Sequence, residues 1–437
     1  MFETLKNAFK NKEVRTKILI TIALLFIYRL GCWIPVPGIN AAFLQSNSNS
    51  VDGLLGLLNG ITGNALQNGA LFAIGITPYI NASIILQLLT VAIPRLQEMQ
   101  KQGDEGRKKI TQITRYITIV LALAQAIGVT VSYARAGALS TDVFGPMTQT
   151  WVIAMFVVVL MVMGSMLTMW LGERITDYGI GNGISLLIFV GIIASAGLAI
   201  IAKFQEAIDN PGGTAIWELL GFLIMVIAVF MLIVFVDLSE RRVPVQYAKQ
   251  IKGRKQYGGQ SSVIPIKLNA SGVMPIIFAT ALITFPQMIA QLVAPESSFY
   301  IWWSTWLGAG SQYPFYYILV ALLILFFSYF YAQIEFNPED ISRNIQQYGG
   351  FINGIRPGKP TTEYLARISK RLTLFGAIFL AFIALVPSVI FAAVLGSQSL
   401  VNAFSATGML IVVSVALEFN KQLQSQLMMK QYKGFLK

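Results

Sequence analysis

The chemistry this chain could do is limited by the groups it lacks. Histidine is absent, which removes Ser-His nucleophile pairs, imidazole proton relays, His-ligated metals and haem. The single cysteine, Cys32, can close no internal disulfide and hold no iron–sulfur cluster. Leu30-Gly31-Cys32 approaches a lipoprotein processing site, but Arg29 stands where an aliphatic residue is wanted. A charge at the centre of a membrane span costs about 2.5–3.5 kcal/mol on insertion scales and usually marks an ion or proton path. Here Arg29, Glu173, Arg174, Asp177, Glu218 and Glu418 all fall at the ends of apolar runs, which argues against ion-coupled transport. Gly358-Lys359-Pro360 has Asn353 where a phosphate-binding loop needs its first glycine, and proline follows the lysine. Gly179-Ile180-Gly181-Asn182-Gly183 lacks dinucleotide spacing. No catalytic set, metal site or cofactor is expected, so the chain reads as a non-enzyme whose vectorial work needs an outside energy source.

The elements that position these residues are membrane spans. Of 437 residues, 55% are hydrophobic and 12% charged, with a mean hydropathy of +0.65. A soluble domain carries roughly 25% charged residues. Apolar runs of membrane-spanning length, roughly 20 residues each, fall near 18–34, 73–93, 116–133, 149–171, 184–202, 217–236, 271–293, 315–334, 372–395 and 400–418. All seven tryptophans lie near run ends, as an interfacial aromatic belt requires. Of 32 basic residues, only Arg29, Arg135 and Lys203 fall at outward positions when the spans are counted off, so both termini are expected inside.

Five spans plus five, each half opening with an amphipathic inward segment, suggest a repeat of inverted topology. The fold class read from the sequence is therefore an all-α polytopic membrane protein. Its parts are an inner N-terminal segment 1–17, a first half 18–202, an external hinge 203–216, a second half 217–419 and a tail 420–437.

Segment 53–71 is apolar yet broken by five glycines and three asparagines. It is either a re-entrant stretch inside a protein-walled vestibule or an amphipathic helix on the outer surface. Gln87, Gln125 and Asn269 are amides within or beside the second, third and seventh spans. Each contributes about 0.6–2 kcal/mol as interhelical glue, and together they mark an interface able to part. Two long inward loops are basic. Loop 237–270 carries Arg241, Arg242, Lys249, Lys252, Arg254 and Lys255, and loop 335–371 carries Arg356 and Lys359. Charges beside a span obey the positive-inside rule, whereas the mid-loop ones suit docking to an acidic or RNA-bearing partner.

The chain resembles the SecY family, channel subunits of the bacterial Sec protein translocase. Residues 34–39 (IPVPGI), 77–80 (TPYI) through 87–90 (QLLT), 106–110 (GRKKI), 179–185 (GIGNGIS), 336–338 (FNP) and 354–358 (GIRPG) carry the likeness. The resemblance implies an hourglass pore between the halves, with a waist ring of Ile76, Ile80, Ile184, Ile188, Ile277 and Ile411. It places a plug at about Asn59, Gly60, Ile61, Thr62, Gly63, Asn64, Ala65, Leu66, Gln67, Asn68 and Gly69. It also places a lateral gate where Gln87, Gln125 and Asn269 fall. Apolar walls offer a hydrated ion nothing in exchange for its water, which suits a pore passing polypeptide without leakage.

The implied partners are SecE, SecG, the SecA ATPase, the ribosome with its RNA, signal sequences, translocating polypeptides and membrane lipid. The implied place is a bacterial cytoplasmic membrane or a thylakoid. Glu339, after Asn337-Pro338, departs from relatives with arginine there. A polytopic solute transporter is the alternative, distinguished by a buried polar substrate site.

Overall fold

The computed structural model describes residues 6, 8–46, 59–60, 62–140, 149–209, 215–247, 250–252, 255–257, 261–269, 271–293, 297–308, 314–390 and 406–435. Helices dominate: α1 (Lys12–Gly31), α2 (Ala41–Ser46), α3 (Thr77–Ala92), α4 (Pro94–Lys101), α5 (Asp104–Ala136), α6 (Thr150–Tyr178), α7 (Gly183–Asp209) and α8 (Ala215–Asp237). After a β-hairpin come α9 (Met274–Val293), α10 (Ser298–Trp306), α11 (Pro314–Glu335), α12 (Pro338–Gln347), α13 (Lys359–Ile390) and α14 (Ala406–Phe435). Each of the ten apolar runs meets one long helix: α1, α3, α5, α6, α7, α8, α9, α11, α13 and α14. Among the described residues, six helices are long and apolar enough to cross a membrane, and the pair α3–α4, bent by 107°, makes a seventh.

The helix ends differ from the hydropathy boundaries for local reasons. The first apolar run continues to Ile34, but α1 stops at Gly31 and the chain turns through Cys32 and Trp33 before Pro35, whose ring disfavours helix in the residue before it. The second run begins at 73, whereas α3 starts at Thr77, with Pro78 in its first turn where no amide hydrogen is needed. In the other direction α5 starts at Asp104, twelve residues before its run, with Asp104 and Glu105 in the first turn. Acidic side chains there favour the positive end of the helix dipole.

In the first half α1 packs on α6 and α7, α3 on α5, and α5 on α6; in the second, α11 packs between α9 and α13, with α14 against α8 and α13. Two seams join the halves. At the back, α7 meets α8 and α14; at the front, α5 meets α9. Outward faces stay apolar, as lipid allows: Ile224, Met231 and Phe235 on α8 are all exposed.

Strands form within the two long basic loops. β1 (Glu240–Tyr247) pairs antiparallel with β4 (Ser261–Lys267), and β2 (Gln250–Lys252) pairs with β3 (Lys255–Tyr257). β5 (Gly350–Phe351), from the other basic loop, adds to β1 at Gln246 and Tyr247, giving the order β4-β1-β5. β5 reaches only Gln246 and Tyr247 of β1, so among the described strands Pro244 pairs on one side alone, with Val263 of β4. Val243, Val245, Ile266, Ile345, Ile352, Leu365 and Ile368 form the core beneath this sheet. The two basic loops are therefore one folded unit.

Candidate functional site

Four helices bring six isoleucines into one apolar cluster. Ile76, Ile188 and Ile411 are buried in it, and Ile80, Ile184 and Ile277 pack half-buried against it. Ile76 caps α3, whose Tyr79 and Ile80 amides both donate to its carbonyl at 3.1 Å. Ile80 is thus one helical turn from Ile76. Asn182 starts α7 by accepting from the Ile184 amide at 3.1 Å, which sets Ile184 and Ile188 one turn apart. Gly183 makes room for this. A Cβ there would run into the Gly172 carbonyl of α6 and approach Ile175 Cβ to 2.8 Å. Gly183 therefore permits a close crossing of α6 and α7 beside the isoleucine cluster.

Segment 59–69 sits against that cluster. Ala65, Ala70 and Phe72 belong to it, while Leu66 belongs to a second cluster with Ile39, Val129, Tyr133 and Met161. Asn59, Thr62, Ala65 and Leu66 are all buried, so the surface-helix alternative does not describe this stretch. The fold is local: Asn59 Oδ1 accepts from the Gln67 amide at 3.1 Å, Asn59 Nδ2 donates to Asn64 Oδ1 at 3.2 Å, and the Asn64 amide donates to the Asn59 carbonyl at 2.9 Å. Gly63 and Asn64 take left-handed backbone, which short polar or glycine residues accept most readily. Ile61 lies outside the described residues.

Sequence reasoning missed the donors that hold this stretch. Arg29, read as an outward charge at the end of the first run, donates from Nη1 to the Gly63 carbonyl at 2.9 Å. Ser195 donates to the Gly60 carbonyl at 2.8 Å, and the Tyr133 hydroxyl to the Leu66 carbonyl at 2.7 Å. Lys203 is also no free outward charge, for it pairs with Glu206 at 3.1 Å and Glu218 at 2.9 Å.

The three amides part company. Gln87 accepts a hydrogen bond from the Tyr331 hydroxyl of α11, bridging the halves. Around it Ile80, Ile84 and Leu88 of α3 pack on a second-half cluster containing Phe278, Ile324, Phe327 and Tyr331. Gln125 is buried in α5. Asn269 donates at 3.4 Å to Asp237 at the end of α8, within the second half, and its own Oδ1 is buried with no hydrogen-bond partner among the described residues.

On the three-stranded sheet Arg241 and Arg242 are exposed, with Arg242 Nε 2.8 Å from Glu240. Lys252 and Lys255 are register partners in the β2–β3 pair. Lys249 and Arg254 lie outside the described residues. Arg356 is exposed just after a tight turn closed by the Ile355 amide on the Ile352 carbonyl at 3.0 Å, with Gly354 left-handed. A pocket of about 560 Å³ lined by Gln346, Phe351, Ile355, Arg356 and Pro357 adjoins it. Lys359 opens α13, exposed. Glu339 has a local reason: its amide is capped by Asn337 Oδ1 at 3.1 Å in the first turn of α12, where a carboxylate is favoured.

Two helical halves that meet around one isoleucine cluster, with the buried segment 59–69 packed against it, have the architecture of a polytopic membrane protein. The SecY family model matches residues 70–420. The protein translocase subunit SecY of Streptomyces scabiei is 42% identical over 450 aligned positions, covering all of both chains. Among solved structures, one described as a protein conducting channel aligns with TM-score 0.66 at 22% identity, over 94% of this chain and 92% of that one. Sec61 in a canine ribosome–channel complex aligns with TM-score 0.63 at 20% identity over the same shares. The chain belongs to the SecY family. The solute-transporter alternative has no support among these relatives.

Proposed function

We propose that this chain is the protein-conducting subunit of a bacterial Sec translocase. It passes secretory polypeptides across the cytoplasmic membrane and releases apolar segments sideways into lipid. The observation that carries the reading is the meeting of Ile76, Ile80, Ile184, Ile188, Ile277 and Ile411 in one cluster, closed on one side by 59–69. An aliphatic waist of this kind binds no translocating side chain strongly and gates ions by dewetting. Residues 59–69 act as the plug. The seam of α3 and α5 with α9 and α11 is the lateral gate, with Gln87 and Gln125 on its first-half side; Asn269 steadies the inner end of α9 through Asp237.

The two halves, 18–202 and 217–419, hinge at 203–216, with both termini cytoplasmic. The basic sheet unit, with Arg356 at its tip, docks the translating ribosome or the SecA ATPase, which supply the energy; SecE and SecG complete the complex. No catalytic role is assigned. The test uses Cys32→Ser with Ile188→Cys, reconstituted with SecE, SecA and a stalled precursor carrying one cysteine. A disulfide between precursor and position 188 is expected. Its absence, with the precursor engaged and crosslinking elsewhere, refutes the ring; failure to engage any precursor refutes the channel.

A further inference from the structure

Three side chains donate to three carbonyls within eight residues of one another: Arg29 of α1 to Gly63, Tyr133 of α5 to Leu66, and Ser195 of α7 to Gly60. All three donors belong to first-half helices. What the second half offers to the waist cluster is apolar, chiefly Ile277, Ile411 and Val415. Parting the halves therefore removes apolar contacts and leaves these three hydrogen bonds standing.

Arg29 is the strongest of the three, because a charged donor binds a carbonyl more tightly than a hydroxyl does. The site is shaped for it. Gly63 has φ +71°, and a Cβ there would strike the Arg29 guanidinium and lie 3.1 Å from the Gly191 carbonyl of α7. Arg29 also lies over the Trp33 ring, 6.0 Å from its centroid, which fixes the direction of its approach.

We infer that Arg29, supported by Tyr133 and Ser195, is a latch that holds segment 59–69 to the first half. Stopper release is then a separate step from parting of the halves. This rests on the reading of 59–69 as a plug in a protein channel. Arg29 acts as a positioning residue: it touches the stopper's backbone and no part of the passing chain.

The test reads stopper release directly, in the full complex in native membranes. The reporter is Thr62→Cys in a Cys32→Ser chain, since Thr62 is 2% exposed and a thiol closely matches its volume. A membrane-impermeant maleimide is added from the outer face. Arg29→Met keeps the apolar stem and removes the donors, and Gly63→Ala breaks the same contact from the other side. Losing a hydrogen bond to a charged group should raise the labelling rate about 10- to 100-fold in either variant. The double variant should add little to the larger single effect, because both remove one contact.

A second cysteine at Thr168, fully buried in α6, should stay unlabelled. Labelling within twofold of the parent in both variants overturns the latch. So does labelling of the Thr168 cysteine in step, which would mean that Arg29 merely supports helix packing. In the reporter without either substitution, an engaged secretory precursor should speed labelling. No acceleration there overturns the plug reading itself; acceleration with no effect of Arg29→Met overturns the latch alone.

Discussion

Replacing Tyr331 with phenylalanine removes one hydroxyl from the front seam and leaves its packing in place. The ring stays against Phe278, 4.9 Å between centroids and nearly edge-on. The loss is the hydrogen bond to Gln87, which crosses from α11 to α3 between the halves. Interhelical hydrogen bonds in membranes average about 0.6 kcal/mol and reach about 1.7, so the open fraction of the seam should rise about 3- to 18-fold. A cysteine at Ile84, 7% exposed on the α3 side of the seam, reports this in a Cys32→Ser background as its rate with a lipid-soluble maleimide. The double variant Gln87→Leu with Tyr331→Phe should fall back toward the parent, because removing both partners leaves no unpaired polar group. A change below twofold in Tyr331→Phe, or a double variant faster than the single, would refute the claim that this bond holds the seam.

Lys203→Met removes the ammonium that pairs at 2.9 Å with Glu218, whose side chain is 21% exposed, at the back junction. The cost should lie between that of exposed and buried pairs, about 1–3 kcal/mol, read as a lower Tm in detergent and partly recovered by adding Glu218→Gln. Gly183→Ala forces α7 off the Gly172 carbonyl; overpacking of this kind costs about 1–3 kcal/mol, and an unchanged Tm would show that the crossing yields freely. Asn337→Ala removes the cap of α12, and a loss of about 0.5–2 kcal/mol should appear as faster proteolysis within 335–371. Arg356→Glu should slow SecA-dependent export by about tenfold with assembly intact, and unchanged export would take Arg356 out of docking.

Part of the site was legible in the residues: glycines and asparagines in an apolar stretch marked 53–71 as too polar to face lipid. The isoleucine ring came from the family resemblance, with only the turn spacing of Ile76/Ile80 and Ile184/Ile188 beside it. The alternation of Val243 with Val245 and of Ile264 with Ile266 was a strand signal in an otherwise helical chain, left unread inside a basic loop. The pairing of β5 with β1 had no such signal, since about a hundred residues separate them. Asn269 shows the limit most plainly. An amide beside a span looks the same whether its partner lies across the gate or, as here, at Asp237 on its own side.

The amino-acid sequence alone determined the class of the protein and its partition into apolar runs, because a bilayer imposes a one-dimensional rule of length, hydropathy and charge on any chain that crosses it. It also ruled out imidazole chemistry and any internal disulfide, since no fold can supply side chains that are missing. Only the tertiary structure decided that six isoleucines share one cluster, that two basic loops share one sheet, and that Arg29 spends its charge on the Gly63 carbonyl. A hydrogen bond requires its two atoms within about 3 Å, and which atoms come that close depends on where helices distant in sequence are packed.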